Sequence, residues 1–255
     1  MRLTVVGCSG SFAGPGSPAS SYLVTTEHEG RTWRVLLDLG SGALGALQRH
    51  IDPVDLDAVL LTHLHPDHCI DLLGLYVTRQ YRPTGRPRHR LPVHAPAGAR
   101  QRIDAAYESI EEPGTDAVFD YHEITDREPV RVGPFVITPY LVHHPVEAYG
   151  FRVEAQGRVL AYTGDTDSCE ALAPLLTGAH LALTDSAFVE GRDTIRGIHL
   201  TGRRAAEAAV AAGGVQRLML THIPAWNAPG ECHAEADQVW PGEVELAQPD
   251  AVYEV

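Results

Sequence analysis

The stretch LLTHLHPDHCIDLLGLY, residues 60–76, constrains this chain more than any other. It holds three histidines and an aspartate within six positions, His63, His65, Asp67 and His68. The apolar run Ala58-Val59-Leu60-Leu61 ends just before them, and helical spacing of Ile70, Leu72, Leu73, Leu75 and Tyr76 begins just after. The cluster therefore lies on a tight strand-to-helix loop. Pro66 restricts its backbone, and Asp67 stands at the helix entry. A polar turn capped by Asp67 is the structural alternative, but such a loop can also aim several side chains at one point. Neutral imidazole and carboxylate suit zinc and other first-row divalent metals. His63 and His65 alternate and share one side, while Asp67 and His68 follow around the turn. The segment suggests two adjacent metals whose remaining ligands come from elsewhere.

The chain has 255 residues, 44% of them hydrophobic, enough for one large core or two closely packed halves in a single domain over 1–255. No apolar run is long enough to span a bilayer, so no membrane partner is expected. Met1 to Gly7 reads as a strand and a glycine turn rather than a signal peptide. Cys8, Cys69, Cys169 and Cys232 are scattered without a C-x-x-C pair, which predicts reduced thiols and a cytoplasmic location. The formal net charge of −13 disfavours nucleic acid, whose capture needs a basic footprint. Every cation other than histidine is an arginine, and no mechanism follows from that.

Periodicity predicts strands at 3–6, 20–25, 33–38, 58–61, 91–94, 130–141, 149–154, 158–162, 180–184, 216–220 and 251–255. It predicts helices at 42–50, 69–80, 96–109, 168–177 and 201–212. Early hairpin-like strands give way to strand–helix alternation, and the order then recurs. That is the pattern of an α/β sandwich with sheets inside and helices outside. The basic, proline-rich stretch Tyr81–Pro92 reads either as a solvated connector or as an anion-facing rim.

Further donors should sit at strand ends. YLVHHPVEAYGFR places His143 and His144 after an apolar run, RVLAYTGDTDS puts Asp165 just past a strand, and RLMLTHIPAW does the same for His222. Each alone is weak, since an aspartate after a strand is usually a turn former. Together with the six-residue cluster they are hard to explain structurally.

With these residues assembled, the sequence resembles the metallo-β-lactamase-fold superfamily, and within it the RNase Z-like phosphodiesterase branch. The T-H-x-H-x-D-H motif is complete from Thr62 to His68. The branch's opening strand and Gly/Ser-rich loop match Gly7-Cys8-Ser9-Gly10-Ser11 and Gly16 to Ser21. Its third histidine and aromatic-Gly-aromatic-Arg segment match His144 and Tyr149-Gly150-Phe151-Arg152, its bridging-aspartate turn Gly164-Asp165-Thr166, and its last histidine Thr221-His222. The resemblance implies an αβ/βα sandwich: two mixed β-sheets packed together, with helices on both outer faces.

It also implies roles. His63, His65 and His144 would hold one divalent metal, and Asp67, His68 and His222 a second, with Asp165 bridging. Zinc is the expected ion and manganese the other choice. His144 is preferred to His143 for its spacing to Tyr149-Gly150. Metals with Asp67, Asp165 and a bridging hydroxide leave a net positive centre that favours a small anionic substrate and lowers the pKa of water towards ~7. His199, in IRGIHLTGRRAAEAA, resembles the branch's G-H-[ST] histidine, which contacts phosphate and protonates the leaving group. Asp185, in Thr184-Asp185-Ser186-Ala187-Phe188, stands where the branch has glutamate, with a shorter reach. Asp67, His199 and Asp185 are thus the implied catalytic residues.

Enzymes that process tRNA carry a long arm; in bacterial forms it lies between the G-[YF]-R segment and the Gly-Asp-Thr turn, where this chain has only RVEAQGRVLAYTG. TVVGCSGSFAGPGSPASSYLV, GALGALQRHIDP and LMLTHIPAW more closely resemble the actinobacterial-type class associated with cyclic-nucleotide phosphodiesterase activity. The expectation is hydrolysis of a small cyclic phosphodiester by metal-bound hydroxide. The alternatives are a lactonase or thioesterase on the same core, or an RNase Z-like ribonuclease without the arm. Relatives in the branch often form homodimers, and Leu72, Leu73, Leu75, Tyr76 and Tyr81 would supply an apolar patch unless they are ordinary core.

Overall fold

Apolar side chains alternating with period two build two sheets from this chain. The computed structural model describes residues 1–108 and 112–255. In chain order the strands are β1 (Arg2–Gly7), β2 (Ser21–His28), β3 (Arg31–Leu37), β4 (Ala58–Leu60), β5 (Leu91–Ala95), β6 (Phe119–Glu123), β7 (Val130–Val132), β8 (Phe135–Leu141), β9 (Tyr149–Ala155), β10 (Arg158–Tyr162), β11 (Leu181–Asp185), β12 (Leu218–Thr221), β13 (Val244–Leu246) and β14 (Val252–Glu254). The α-helices are α1 (Ala43–Leu47), α2 (Pro66–Cys69), α3 (Leu72–Gln80), α4 (Ala99–Tyr107), α5 (Leu172–Leu176), α6 (Gly202–Ala212) and α7 (Pro229–Asp237).

One sheet has the order β14-β1-β2-β3-β4-β5-β6 and the other β13-β12-β11-β10-β9-β8-β7. Each pairs antiparallel up to one strand, β3 or β10, and parallel beyond it. The expected sandwich is the observed architecture. Tyr22, Val24, Val35, Leu37 and Leu60 of the first sheet share one buried cluster with Phe135, Ile137, Phe151, Val153, Leu160 and Leu183 of the second. The intervening residues face outward. Leu23, Leu36 and Val59 pack on α1, α3 and α4, and Ala161, Ala182 and Leu220 on α5, α6 and α7. No described helix is long and apolar enough to cross a membrane.

Several expected elements have different bounds. The strand expected over 130–141 is a hairpin, because Gly133 turns the chain at φ 52° between β7 and β8. The helix expected over 69–80 is two pieces, α2 and α3. The last residue of the one expected over 96–109 lies outside the described residues. β6, β13 and α7 carry little periodic signal: β6 is half-polar, β13 has three residues, and α7 buries only Cys232 and Ala236. The apolar patch anticipated for a dimer is core instead. Leu72, Leu75 and Tyr76 are buried against the first sheet, while Tyr81 alone of the five is strongly exposed. In the Tyr81–Pro92 stretch, Arg82 and Arg90 pair with Asp52 and Asp120, as a surface connector does. The four cysteines are free thiols.

Phe151 contacts the core from the middle of β9 with no exposure. Phe151→Ala should cost about 3–5 kcal/mol by leaving a cavity between the sheets. Val252→Ala on the exposed edge strand should stay within about 0.5 kcal/mol. Urea unfolding of both variants checks this, and equal losses would contradict the shared core.

Candidate metal centre

Both sheets present the carboxyl ends of their parallel strands to the same side, where open α/β sheets form their crevices. Thr62 and His63 follow β4. Pro66 starts α2 at a position where no backbone N–H is needed, and this places Asp67 and His68 in the helix's first turn. Asp165 follows β10, Asp185 ends β11, His222 follows β12, and His144 lies in the β8–β9 connection. Gly40 lets the β3–α1 loop touch the Asp67 carbonyl, which any side chain there would strike.

Among the described residues the donors fall into two adjoining groups, His63, His65 and His144, and Asp67, His68, Asp165 and His222, with a third, His144, Asp165 and His199, overlapping both. Asp165 touches both. Its Oδ2 lies 3.8 Å from His63 Nε2 and 3.2 Å from His222 Nε2, and its Oδ1 lies 3.2 Å from His68 Nε2. Asp67 Oδ2 is 3.4 Å from His68 Nε2 and 3.8 Å from His222 Nε2. All but His65 and His144 are buried.

A surrounding layer fixes each ring. His144 Nδ1 donates to the Ile198 carbonyl at 2.9 Å. His68 Nδ1 lies 2.8 Å from Asp38 Oδ2 and His222 Nδ1 3.0 Å from Ser20 Oγ. The Thr62 hydroxyl donates to Asp38, so it accepts from His63 Nδ1 at 3.0 Å. Asp38 also accepts from the Thr62 backbone N–H and from the Tyr162 hydroxyl. These partners set the tautomers: His63 Nε2 and His144 Nε2 carry lone pairs, not protons.

Those two nitrogens lie 3.0 and 3.3 Å from His65 Nδ1. Three ring nitrogens converge, and at least two of them have no proton to offer. His68 Nε2 and Asp165 Oδ1 face each other at 3.2 Å in the buried pocket, with no other hydrogen-bond partner. Converging buried acceptors such as the His63 and His144 nitrogens are costly unless a cation lies among them. Imidazole plus carboxylate at these positions fits a divalent metal pair. The electrostatics agree. Burial, then the His68 charge, hold His63 well below its ordinary range. His68 is pushed well above its own despite burial, by Asp165 and Asp38. Burial would raise Asp165, but His222 and His68 hold it well below the usual carboxylate range. The buried carboxylates thus call for positive charge beside them, which a protonated His68 or a metal supplies.

His144, not His143, enters the cluster. His143 is exposed, and its backbone bridges to Asp167. His199 stands beside the ligands, its ring centroid 5.6 Å from that of His144 and 5.3 Å from that of His222. The shorter side chain of Asp185 does reach it: Oδ2 is 2.9 Å from His199 Nδ1, and the same carboxylate accepts from the backbone of Thr166 and Ala187. Burial disfavours the charged His199, yet Asp185 raises its pKa to about 9. Asp38 is the main group the sequence reading does not single out. Its signal is a carboxylate directly after Val35-Leu36-Leu37, the same strand-end position as Asp165 and His222.

The family model for the Beta-lactamase superfamily domain matches residues 33–223, a span holding every side chain of this cluster. The chain belongs to this superfamily. Within it, the metallo-β-lactamase fold of the RNase Z-like branch is the one present. The chain is 41% identical over 258 residues to the uncharacterized protein Rv1339 of Mycobacterium tuberculosis, covering 100% of this chain and 92% of that one. It is 29% identical to the probable metallo-hydrolase YhfI of Bacillus subtilis over the whole of both chains. The crystal structure of YhfI superposes with a TM-score of 0.87 over 99% of this chain and 98% of that one. The short form of human tRNase Z shares the fold at a TM-score of 0.76 and 22% identity, covering 100% and 99%. This superfamily member is a metallohydrolase whose His/Asp cluster suits a divalent metal.

Asp38 holds His68 directly and His63 through Thr62, so Asp38→Asn should weaken metal affinity about 10–100-fold, the usual cost of losing such a partner. Competition with a chromophoric chelator measures it, and an unchanged affinity would contradict the orienting role.

Proposed function

We propose that the chain is a binuclear metal-dependent phosphodiesterase acting on a small cyclic nucleotide. Zinc is the favoured ion and manganese the alternative, His63, His65 and His144 serving one site, Asp67, His68 and His222 the other, and Asp165 both. Metals held there supply Lewis acidity and lower the pKa of water. The protein's own groups supply the rest. The outer layer of Asp38, Thr62, Ser20 and the Ile198 carbonyl keeps the rings aimed without rearrangement. The His199–Asp185 pair is the observation that carries the reading. With its Nδ1 held by Asp185, His199 has only Nε2 free to hold a proton for a departing alkoxide. An alkoxide leaving a phosphodiester needs that proton, whereas a thiolate does not.

The ribonuclease alternative is less well supported. The β9–β10 connection, where a tRNA-gripping arm would be inserted, is a tight hairpin turned at Gln156 and Gly157, φ 53° and 73°. Positive φ at both central residues is the mark of a two-residue turn. The net charge of −13 also opposes a polyanionic substrate.

Two substitutions separate metal binding from chemistry. Asp165→Ala removes the carboxylate shared by both ligand groups. Metal content should fall well below two per chain, with severe loss of hydrolysis; a fully metallated, active variant would sink the two-metal assignment. His199→Ala should keep its metals yet lose about 10²–10⁴-fold in cleaving a ribose alkoxide, the scale of general acid catalysis. With p-nitrophenolate as leaving group the loss should be far smaller. Equal losses on both substrates would make His199 a binding residue, not an acid.

A further inference from the structure

Two large aromatic side chains are left in water on the loops that flank His222. Phe12 is 37% exposed and Trp226 67% exposed, and their ring centroids lie 4.7 Å apart at an interplanar angle of 42°. Burying such rings is normally among the larger contributions to a core. Here they cover one another only in part, and their outer faces stay open.

Trp226 follows His222 on the same segment, and Phe12 lies on the β1–β2 connection packed against it. Ser9 pairs with Ile223 in an isolated β-bridge, and Gly10 packs so closely on the His222 carbonyl that no side chain would fit there. Ser11 N–H lies 3.3 Å from His222 Nε2, the nitrogen facing the metal cluster. Ser11 takes a positive φ of 61°, and Phe12 N–H closes the turn onto the Gly10 carbonyl at 2.7 Å. Consecutive Cα atoms are about 3.8 Å apart, so Phe12 starts one residue step beyond an atom at the centre itself. Across from it, Trp226 sits in a turn closed by Asn227 N–H on the Pro224 carbonyl, 2.8 Å, and Asn227 Nδ2 anchors that turn to the Ala187 carbonyl, 2.8 Å. The rings are thus placed relative to the metal ligands by backbone contacts on both sides.

We infer that Phe12 and Trp226 form the face on which a planar ring of the substrate stacks while its phosphate is held at the His222 side of the centre; this rests on the phosphodiesterase reading and names the nucleobase as the group recognised. Every base has a π-face, so stacking would grip nucleotides with little choice among bases. The pair therefore determines nucleotide over non-aromatic phosphodiester, rather than one base over another.

The test compares 3′,5′-cyclic AMP with methyl ribofuranoside 3′,5′-cyclic phosphate, which keeps the reacting ring and lacks the base. The ratio of their kcat/KM values should fall by about 5- to 150-fold in Phe12→Leu and in Trp226→Leu, the scale of base–aromatic stacking, chiefly through KM for cyclic AMP. Trp226→Phe should recover most of it. An unchanged ratio would overturn the proposal. So would a solution mass of two chains that drops to one in Trp226→Leu with the ratio intact, since the rings would then be a subunit contact. A second measurement needs no turnover: adenosine 5′-monophosphate, but not ribose 5-phosphate, should quench the fluorescence that Trp226→Phe removes. Quenching without any cyclic-nucleotide hydrolysis would retain the stacking face and discard the phosphodiesterase reading. Hydrolysis without quenching would do the reverse.

Discussion

Three imidazole nitrogens meet at the heart of this protein, and at least two of them bring lone pairs where a hydrogen bond would need a proton. His63 Nε2 and His144 Nε2 face His65 Nδ1 at 3.0 and 3.3 Å. Each Nε2 is committed by what its ring does on the other side, through Thr62 and Asp38 for His63 and through the Ile198 carbonyl for His144. Mutually facing acceptors repel, so the folded chain spends stability to hold them. A cation reverses the sign of that interaction.

The sandwich supplies the rigidity for this arrangement. Its inner cluster joins both sheets, and their parallel strands end side by side. Asp38 links the two halves directly, since it follows β3 of the first sheet and accepts from Tyr162 of β10 in the second. A residue of the core thus sets the orientation of rings in the site. His199 is fixed in the same manner through Asp185, whose carboxylate also ties down the Thr166 turn beside Asp165.

The candidate ligand residues are legible in the sequence because they gather in one short segment or stand just past apolar runs. The spacing THLHPDH survives any uncertainty about element bounds. The choice of His144 over His143 is not legible from the strand pattern; it comes from family spacing, and the exposed His143 agrees with it. Asp38 and Ser20 escape because a single polar residue near a strand end looks like a turn former until its partner is known. β6, β13 and α7 escape because short or half-polar elements leave no periodicity to read. The dimer patch fails for the opposite reason: Leu72, Leu75 and Tyr76 have the spacing of any amphipathic helix, and their partner is this chain's own sheet.

The measurement closest to the central claim is an anomalous difference map at the zinc edge from crystals of the metal-loaded protein. Two peaks should appear, one among His63, His65 and His144 and one among Asp67, His68 and His222, with Asp165 between them. A single peak, or metal bound elsewhere with these rings left in contact, would contradict the account.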